Sequence, residues 1–491
     1  MRQNESSLAL AALAAAGGAF AQSGNARAIT GSGVEIFGIA DARINYATAT
    51  NAGSLSRLDN SGESSSRLGF RGVEDIGGGW GAGFWLEAGV GSDDGRGQNT
   101  TNNNTNMGQN FAVGTGNVLP TAAAGSAAGS VGTPSTGGLN GLQGLTFNRA
   151  AVVSLLNKDF GEIRLGRDYA PTFWNLTVYD PFGTVGMGSH ANIALGVLNP
   201  AGASIAPPGT AKPEIRTSNS VGWLSNNLNG FRIQAQYAFS EVATNCIGLG
   251  TVNAANQSTS NTCAAASGDG RYIGVRVQYN SGPLSLAAAT GTATYTSTVS
   301  ADAVTGLNAL NTTWLNSGGN QPFFGDYKVT NLGGSYDAGS VKLFAQYGEQ
   351  TQGSFTSALY TANAAPNANT GVYTVNGTLA QASTLKHYLL GATVPMGNWL
   401  YKASYGSGTR SAGGLTAANA AITNDRTYTQ FALGAVYNFS KRTAVYGTYS
   451  AMTGTGLGAT VSQGVLTSTA VTATSGDVKA SGFDVGVRHS F

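Results

Sequence analysis

Residues 231–239 read FRIQAQYAF, and the two parities of that stretch differ in chemistry. Phe231, Ile233, Ala235, Tyr237 and Phe239 share one face of an extended chain, while Arg232, Gln234, Gln236 and Ala238 share the other, because successive strand side chains point to opposite sides. The same alternation recurs outward from this segment. In 273–279, Ile273, Val275, Val277 and Tyr279 oppose Gly274, Arg276 and Gln278. In 483–491, Phe483, Val485, Val487 and Phe491 oppose Asp484, Gly486, Arg488 and Ser490. Such segments come close to the roughly 9–11 residues a tilted strand needs to cross a bilayer. Alternation alone fits two architectures. A soluble sandwich turns the apolar face to its core, whereas a membrane barrel turns it to lipid and the polar face to a wet lumen.

The rhythm of the segments separates the two. Strand pairs joined by short turns are expected at 65–75 and 80–90, 145–156 and 161–168, 217–225 and 231–241, and 271–280 and 283–295. Three more follow at 326–337 and 340–349, 385–396 and 399–408, and 427–439 and 443–452. Between pairs lie long Asn-, Thr-, Gly- and Ala-rich gaps at about 92–144, 169–216, 242–270, 298–325, 353–383 and 455–479. With 34–46 and 480–491, this makes about sixteen strands, an even number with one smooth and one rough rim. The reading is all-β: a closed antiparallel transmembrane barrel, with 34–46 pairing with 480–491, since only a closed sheet satisfies its backbone in lipid. Tyr237, Phe239, Tyr279, Tyr347, Trp399, Tyr401, Tyr437, Phe439 and Phe491 suit interfacial girdles.

Composition agrees. Of 491 residues only 10% are charged, against about 25% in soluble chains. Mean hydropathy is nevertheless only −0.05, and past the leader no run of 18 or so apolar residues marks a spanning helix. A net charge of +2 argues against phosphate-driven nucleic-acid binding. Two cysteines exclude a disulfide framework, and three histidines offer neither a multi-His metal site nor a cofactor anchor. Residues 8–21, LALAALAAAGGAFA, form an apolar run ending in a small-x-small site. We therefore expect a signal peptide over 1–21, cleaved on export, and one barrel domain over 22–491.

Several stretches, in this order and spacing, resemble the Gram-negative general porins of the beta-proteobacterial branch. They are GVEIFGIADARINY (33–46), SSSRLGFRGVEDIGGG (64–79), FNRAAVVSLLNKDFGEIRLGRDY (147–169), YDPFG (179–183), RTSNSVGW (216–223), VYNFSKRTAVYGTYS (436–450) and GVRHSF (486–491). The resemblance implies a sixteen-stranded outer-membrane barrel surrounded by lipid, a homotrimer, and a third loop folded into the lumen. It also implies a C-terminal signal at Phe491 read by the barrel-assembly machinery.

A pore of this kind works by radius and transverse field, with fixed charges on low-dielectric walls. Parity turns Glu35, Asp41, Arg43 and Asn45 inward, then Arg67 and Arg71, then Arg149 together with Ala151 and Val153, then Glu162, Arg164 and Asp168. By resemblance, Arg67, Arg149 and Arg216 match constriction arginines; Arg43, Arg71 and Arg164 rest on parity alone. Stretch 169–216 is the candidate constriction loop, with Tyr179, Asp180, Pro181, Phe182 and Gly183 resembling an acidic tip that faces the arginines. Asp168, Asp180 and Glu87 are expected on the acidic side. Glu35 and Glu162 fall toward the periplasmic end, about a Debye length (roughly 8 Å) from the eyelet, which leaves the narrow zone net positive. Cys246 and Cys263 share one outer gap, where export favours a disulfide. No Ser/His/Asp or Cys/His arrangement offers catalysis. The expected function is passive diffusion of small hydrophilic solutes and ions, with modest anion preference. The alternatives are an outer-membrane barrel enzyme, which would need a rim catalytic cluster, and a secreted β-solenoid adhesin, which would need a fixed repeat.

Overall fold

The computed structural model describes residues 32–50, 53–93, 95, 97, 145–195, 215–239, 271–294, 326–352, 355–360, 375–380, 383–411, 416–417, 420–421, 425–455, 460–461, 471–472 and 477–491. The expected signal peptide over 1–21, the expected Cys246–Cys263 disulfide and most of the long gaps lie outside these residues.

One sheet holds seventeen strands. They are β1 (Gly33–Ala49), β2 (Gly53–Asn60), β3 (Arg67–Gly77), β4 (Trp80–Gly89), β5 (Ala150–Asn157), β6 (Gly161–Tyr169), β7 (Arg216–Leu224), β8 (Phe231–Ala238) and β9 (Arg271–Ser281). Then come β10 (Leu284–Thr294), β11 (Tyr327–Asp337), β12 (Lys342–Gln352), β13 (Ser383–Met396), β14 (Trp399–Arg410), β15 (Arg426–Asn438), β16 (Thr443–Thr455) and β17 (Val478–Ser490). From β3 onward each strand pairs antiparallel with the next. The sheet closes where β17 meets β1, from Ile39 opposite Ser490 to Ala49 opposite Ala480. On its other edge β1 has two partners: β3 along Gly33–Ile39 and β2 along Ala42–Ala49. Strands β2 and β3 are thus two halves of one wall position, giving sixteen in all. Residues 61–66 leave the wall between them. Strand β2 carries little sequence signal, because SLSRLDN (54–60) alternates weakly.

The two faces are inverted relative to a soluble protein. Val34, Ile36, Ile273, Val275, Val485 and Phe483 are exposed, while Asp41, Gln234, Gln236, Arg276 and Asp484 are buried inside. Hydrocarbon outside and a polar lumen are what lipid demands of a barrel. At the smooth rim Trp399 stacks on Tyr401 (5.9 Å) and packs against Tyr437 (4.8 Å), which meets Phe439 edge-on (5.0 Å). Those rings sit beside the short turns 397–398 and 439–442, as an interfacial girdle requires.

After β6 the chain turns into the barrel. Helix α1 (Pro171–Val178) packs on β9, β10 and β11, and the short α2 (Ala191–Ala194) packs on β13, β14 and β15. The wall makes room by omitting side chains. A Cβ on Gly333, Gly391, Gly406 or Gly434 would overlap Tyr179, Pro181, His190 or Phe182 respectively. Wall amides satisfy the loop's backbone: Gln346 donates to the Leu176 carbonyl (3.1 Å), and Gln430 donates to those of Gly188 and Ser189 (3.0 Å each). Buried carbonyls left without donors would cost about 1–3 kcal/mol each. Supplied this way, the loop is part of the lumen wall.

Candidate functional site: a basic wall in the lumen

Arg67 opens β3, Glu87 lies near the end of β4, Arg149 precedes β5, Tyr169 closes β6 and Arg216 opens β7. Neighbouring antiparallel strands bring these positions to one depth. Glu87 Oε1 accepts from Arg149 Nε at 2.5 Å, lies 3.5 Å from Arg67 Nη1, and accepts from the Tyr169 hydroxyl at 3.2 Å. Arg216 Nη2 donates to the same hydroxyl at 3.3 Å, with its guanidinium 4.6 Å from the centre of the tyrosine ring. The Arg149 guanidinium lies 5.9 Å from that ring. Tyr169 therefore spaces two cations over its negative face and relays a hydrogen bond to the carboxylate.

Arg167 is a fourth member that parity did not find. Its Nε donates to the Asn148 carbonyl (2.6 Å) and its Nη1 to Ser218 Oγ (2.7 Å). The β6–β7 register shifts between Gly166 and Asp168, and Gly166 sits at φ +127°, a conformation that L side chains rarely adopt. Such an irregularity breaks strict alternation. A glycine inside an otherwise regular strand was the one available signal.

Parity also misplaced β5. Val153 and Leu155 are exposed, and Val152, Ser154 and Leu156 are buried, so Val153 faces outward, opposite to expectation. Arg149 still turns inward because it precedes the strand; its N–H donates to the Glu87 carbonyl (3.0 Å), and Asn148 Oδ1 accepts from Gly89 N–H (2.8 Å).

The other expected arginines are matched elsewhere. Arg43 bridges Asp59 and Asp484, both at 2.7 Å. Arg71 pairs with Glu35 at 2.7 Å near the rim. Arg164 lies 3.0 Å from Glu162 and 3.1 Å from Asp168.

The acidic side differs from expectation. Asp168, expected on the loop side, is bound to Arg164 of its own strand, and Glu87, expected on the wall, is bound there to Arg149. The loop tip is folded inward but faces away from the pore. Tyr179, Asp180 and Phe182 are buried, with the Tyr179 hydroxyl paired to that of Ser285 (3.0 Å). Asp180 accepts from its own loop, from Phe182 N–H (2.9 Å) and His190 N–H (2.8 Å). Burial pushes its carboxyl up to about 7 despite those donors. Burial and the neighbouring His387 hold His190 well below the usual histidine range; its Nε2 lies 2.9 Å from His387 Nδ1. A tight Asp-Pro turn satisfies its own carboxylate, and YDPFG is such a turn. The motif lies in the inward-turning segment, with its carboxylate bonded to that segment's own backbone.

A second cluster escaped the sequence reading. Asp41, Glu63, Lys402 and Asp484 join Arg43 beneath the loop. Lys402 donates to Glu63 at 2.6 Å, and Asp484 accepts from Asn45 at 2.5 Å and from the Met187 N–H at 3.3 Å. Among the described residues no group of His, Cys, Asp and Glu could hold a metal ion.

A closed barrel that is apolar outside and charged within, with a loop folded inward and a strip of arginines on one wall, is the architecture of an outer-membrane pore. Residues 7–457 match the Gram-negative porins, and the chain belongs to that family. Outer membrane porin protein 32 of Delftia acidovorans is 34% identical over 282 residues, 57% of each chain, so little more than half of that relative's length is spanned. An outer membrane porin protein of Bordetella pertussis is 26% identical over 391 residues, 78% of this chain and 76% of that one. An anion-selective porin from Comamonas acidovorans superposes over 94% of this chain and 100% of its own, at 26% identity and a TM-score of 0.58. The protein is accordingly an outer-membrane β-barrel of a Gram-negative bacterium, in a family of channels rather than enzymes. The closed seam is incompatible with a solenoid.

Proposed function

We propose that the barrel is a water-filled channel for passive diffusion of small hydrophilic solutes and ions, with a modest preference for anions. One observation carries the sign: Arg67, Arg149 and Arg216 gather around Glu87, directly or through the Tyr169 hydroxyl, and Arg167 beside them is held by the neutral Asn148 carbonyl and Ser218 Oγ. Arg43, Arg71 and Arg164 each sit against one or two carboxylates and contribute little net field. Asp180 is spent inside the loop, so the tip offers no opposing anion. Low-dielectric walls concentrate the remaining positive potential across the lumen, and guanidinium keeps its charge at any working pH. The likeness to an anion-selective porin supports the same sign.

The test is the reversal potential across a planar bilayer under a salt gradient. The unmodified pore is expected to favour chloride over potassium, and replacing Arg67 and Arg149 together by Glu is expected to reverse the sign. A cation preference in the unmodified pore would overturn the reading. Assembly as a homotrimer belongs to the same proposal, supported by the small and apolar outer face of β1 (Val34, Ile36, Ala40, Ala42), which permits close packing. Light scattering in mild detergent is expected to give a trimer mass. Phe491, whose backbone exchanges two 3.0 Å hydrogen bonds with Gly38 at the seam, is the proposed assembly signal.

A further inference from the structure

Residues 61–66, SGESSS, leave the wall between β2 and β3 and enter the lumen. Asp41 on β1 holds them there. Its carboxylate accepts from three consecutive backbone N–H groups, those of Gly62 (3.1 Å), Glu63 (2.9 Å) and Ser64 (2.6 Å), and from the Tyr446 hydroxyl. Its main chain is tied to the same segment: its carbonyl accepts from Ser61 N–H and from Ser66 Oγ, both at 3.0 Å. A charged acceptor with several backbone donors is among the stronger arrangements available, and Asp41 is fully buried.

The constriction loop rests on this excursion. Gly186 sits at φ +74°, and a Cβ there would run into the Gly62 carbonyl oxygen, so the two backbones touch with no side chain between them. One residue further along the excursion, Glu63 accepts from Lys402 of β14 at 2.6 Å, and the Lys402 ammonium lies 5.6 Å from the Phe182 ring in the loop tip. The excursion thus bridges β1, the loop and the wall at β14.

We propose that Asp41 is a positioning residue for the channel: it fixes the 61–66 excursion as a shelf, and the shelf sets how far the constriction loop stands into the lumen. Two inward elements then frame the narrow zone, and the shelf acts on permeation only through the loop. The proposal rests on the channel reading above for its electrical consequence, though not for its mechanical one.

The experiment pairs two readouts. Amide exchange on the purified, folded protein reports the loop directly; open-channel current noise in a bilayer reports its effect on ions. In Asp41→Asn, exchange over 61–66 and 183–190 is expected to quicken about tenfold or more, and noise to rise, while the barrel keeps its heat-dependent electrophoretic shift. Gly186→Ala loads the shelf contact as well as its own left-handed backbone and is expected to raise both readouts over 183–190, which keeps the proposal testable if Asp41→Asn does not fold. Glu63→Lys and Lys402→Glu singly are expected to be noisy, and quiet together. Unchanged exchange over 183–190 in a folded Asp41→Asn or Gly186→Ala would overturn the proposal. So would a charge-swapped pair as noisy as its singles. If no variant conducts while exchange still quickens, the channel reading fails and the shelf stands.

Discussion

Two clusters of charge lie inside this barrel, built from the same residue types and put to opposite uses. On the wall formed by β3 to β7, Arg67, Arg149 and Arg216 gather around one carboxylate, Glu87, while Arg167 is held by neutral acceptors. Under the loop, Arg43 and Lys402 meet Asp59, Asp484 and Glu63, while Asp41 is filled by backbone donors. The first leaves a surplus of positive charge facing the pore; in the second every carboxylate is met by a cation or by backbone donors. A surplus creates field at a cost in self-repulsion, and a matched set gives register and rigidity with little far field. Sign and structure are thereby assigned to different walls.

Substitutions can break that division. The largest effect is expected from Arg43→Gln, which removes the cation from the fully buried Asp484 while Asp59 keeps Arg57, and should cost about 3 kcal/mol or more, read as a lower thermal midpoint in detergent. Arg216→Gln, by contrast, is expected to leave the midpoint within about 0.5 kcal/mol while lowering the anion-to-cation permeability ratio. If both substitutions change stability equally, the two walls are not different in kind. Glu87→Gln comes next. It removes the one carboxylate bridging Arg67 and Arg149, so it is expected to cost about 1–2 kcal/mol, because mobile anions can partly replace it, and to raise the permeability ratio. A ratio that falls instead would mean that Glu87 organises the arginines more than it offsets them.

The smallest effect concerns the loop. The Asp180 carboxyl is raised from 3.8 to about 7, so the folded protein holds a proton there that the unfolded chain releases. Its contribution to stability is full below about pH 4 and is lost as pH rises toward 7. His190 is displaced downward, so its contribution is present above the ordinary histidine range and is lost on acidification. Thermal midpoints of the parent minus those of Asp180→Asn are therefore expected to fall from pH 4 to 7. The same difference for His190→Gln is expected to rise with pH below about 6.5. Matching slopes would refute the assignment.

What could be read from the chain follows from how local each feature is. Alternation in FRIQAQYAF depends only on strand periodicity, so the barrel, its turns and its seam were readable. Arg67, Arg149 and Arg216 were located through family resemblance, and these are the arginines that converge on Glu87 and Tyr169. The failures share one cause. Arg167 lies at a register shift, Val153 follows a segment where alternation restarts, and 61–66 follows a short strand, 53–60, whose alternation is too weak to announce it. Each is a break in period, which tertiary hydrogen bonds impose and composition does not announce. Asp180 failed differently: an acidic residue beside Pro181 can face solvent or cap its own turn, and burial of the neighbouring rings decides which.

The seam has a consequence for how the molecule comes into being. Arg43 and Asp484 stand 441 residues apart in sequence and 2.7 Å apart in space, and the whole edge of β1 waits for β17. Loop-closure entropy of that length is met before any seam contact compensates it, which makes such topologies slow. A ribosome delivering the chain from its N-terminus supplies β1 first and its partner last. During that interval β1 is an open edge, the kind that templates pairing with other chains. Transit to the outer membrane therefore calls for an escort that keeps β1 unpaired, and truncating β17 is expected to yield an aggregating protein rather than a narrower pore.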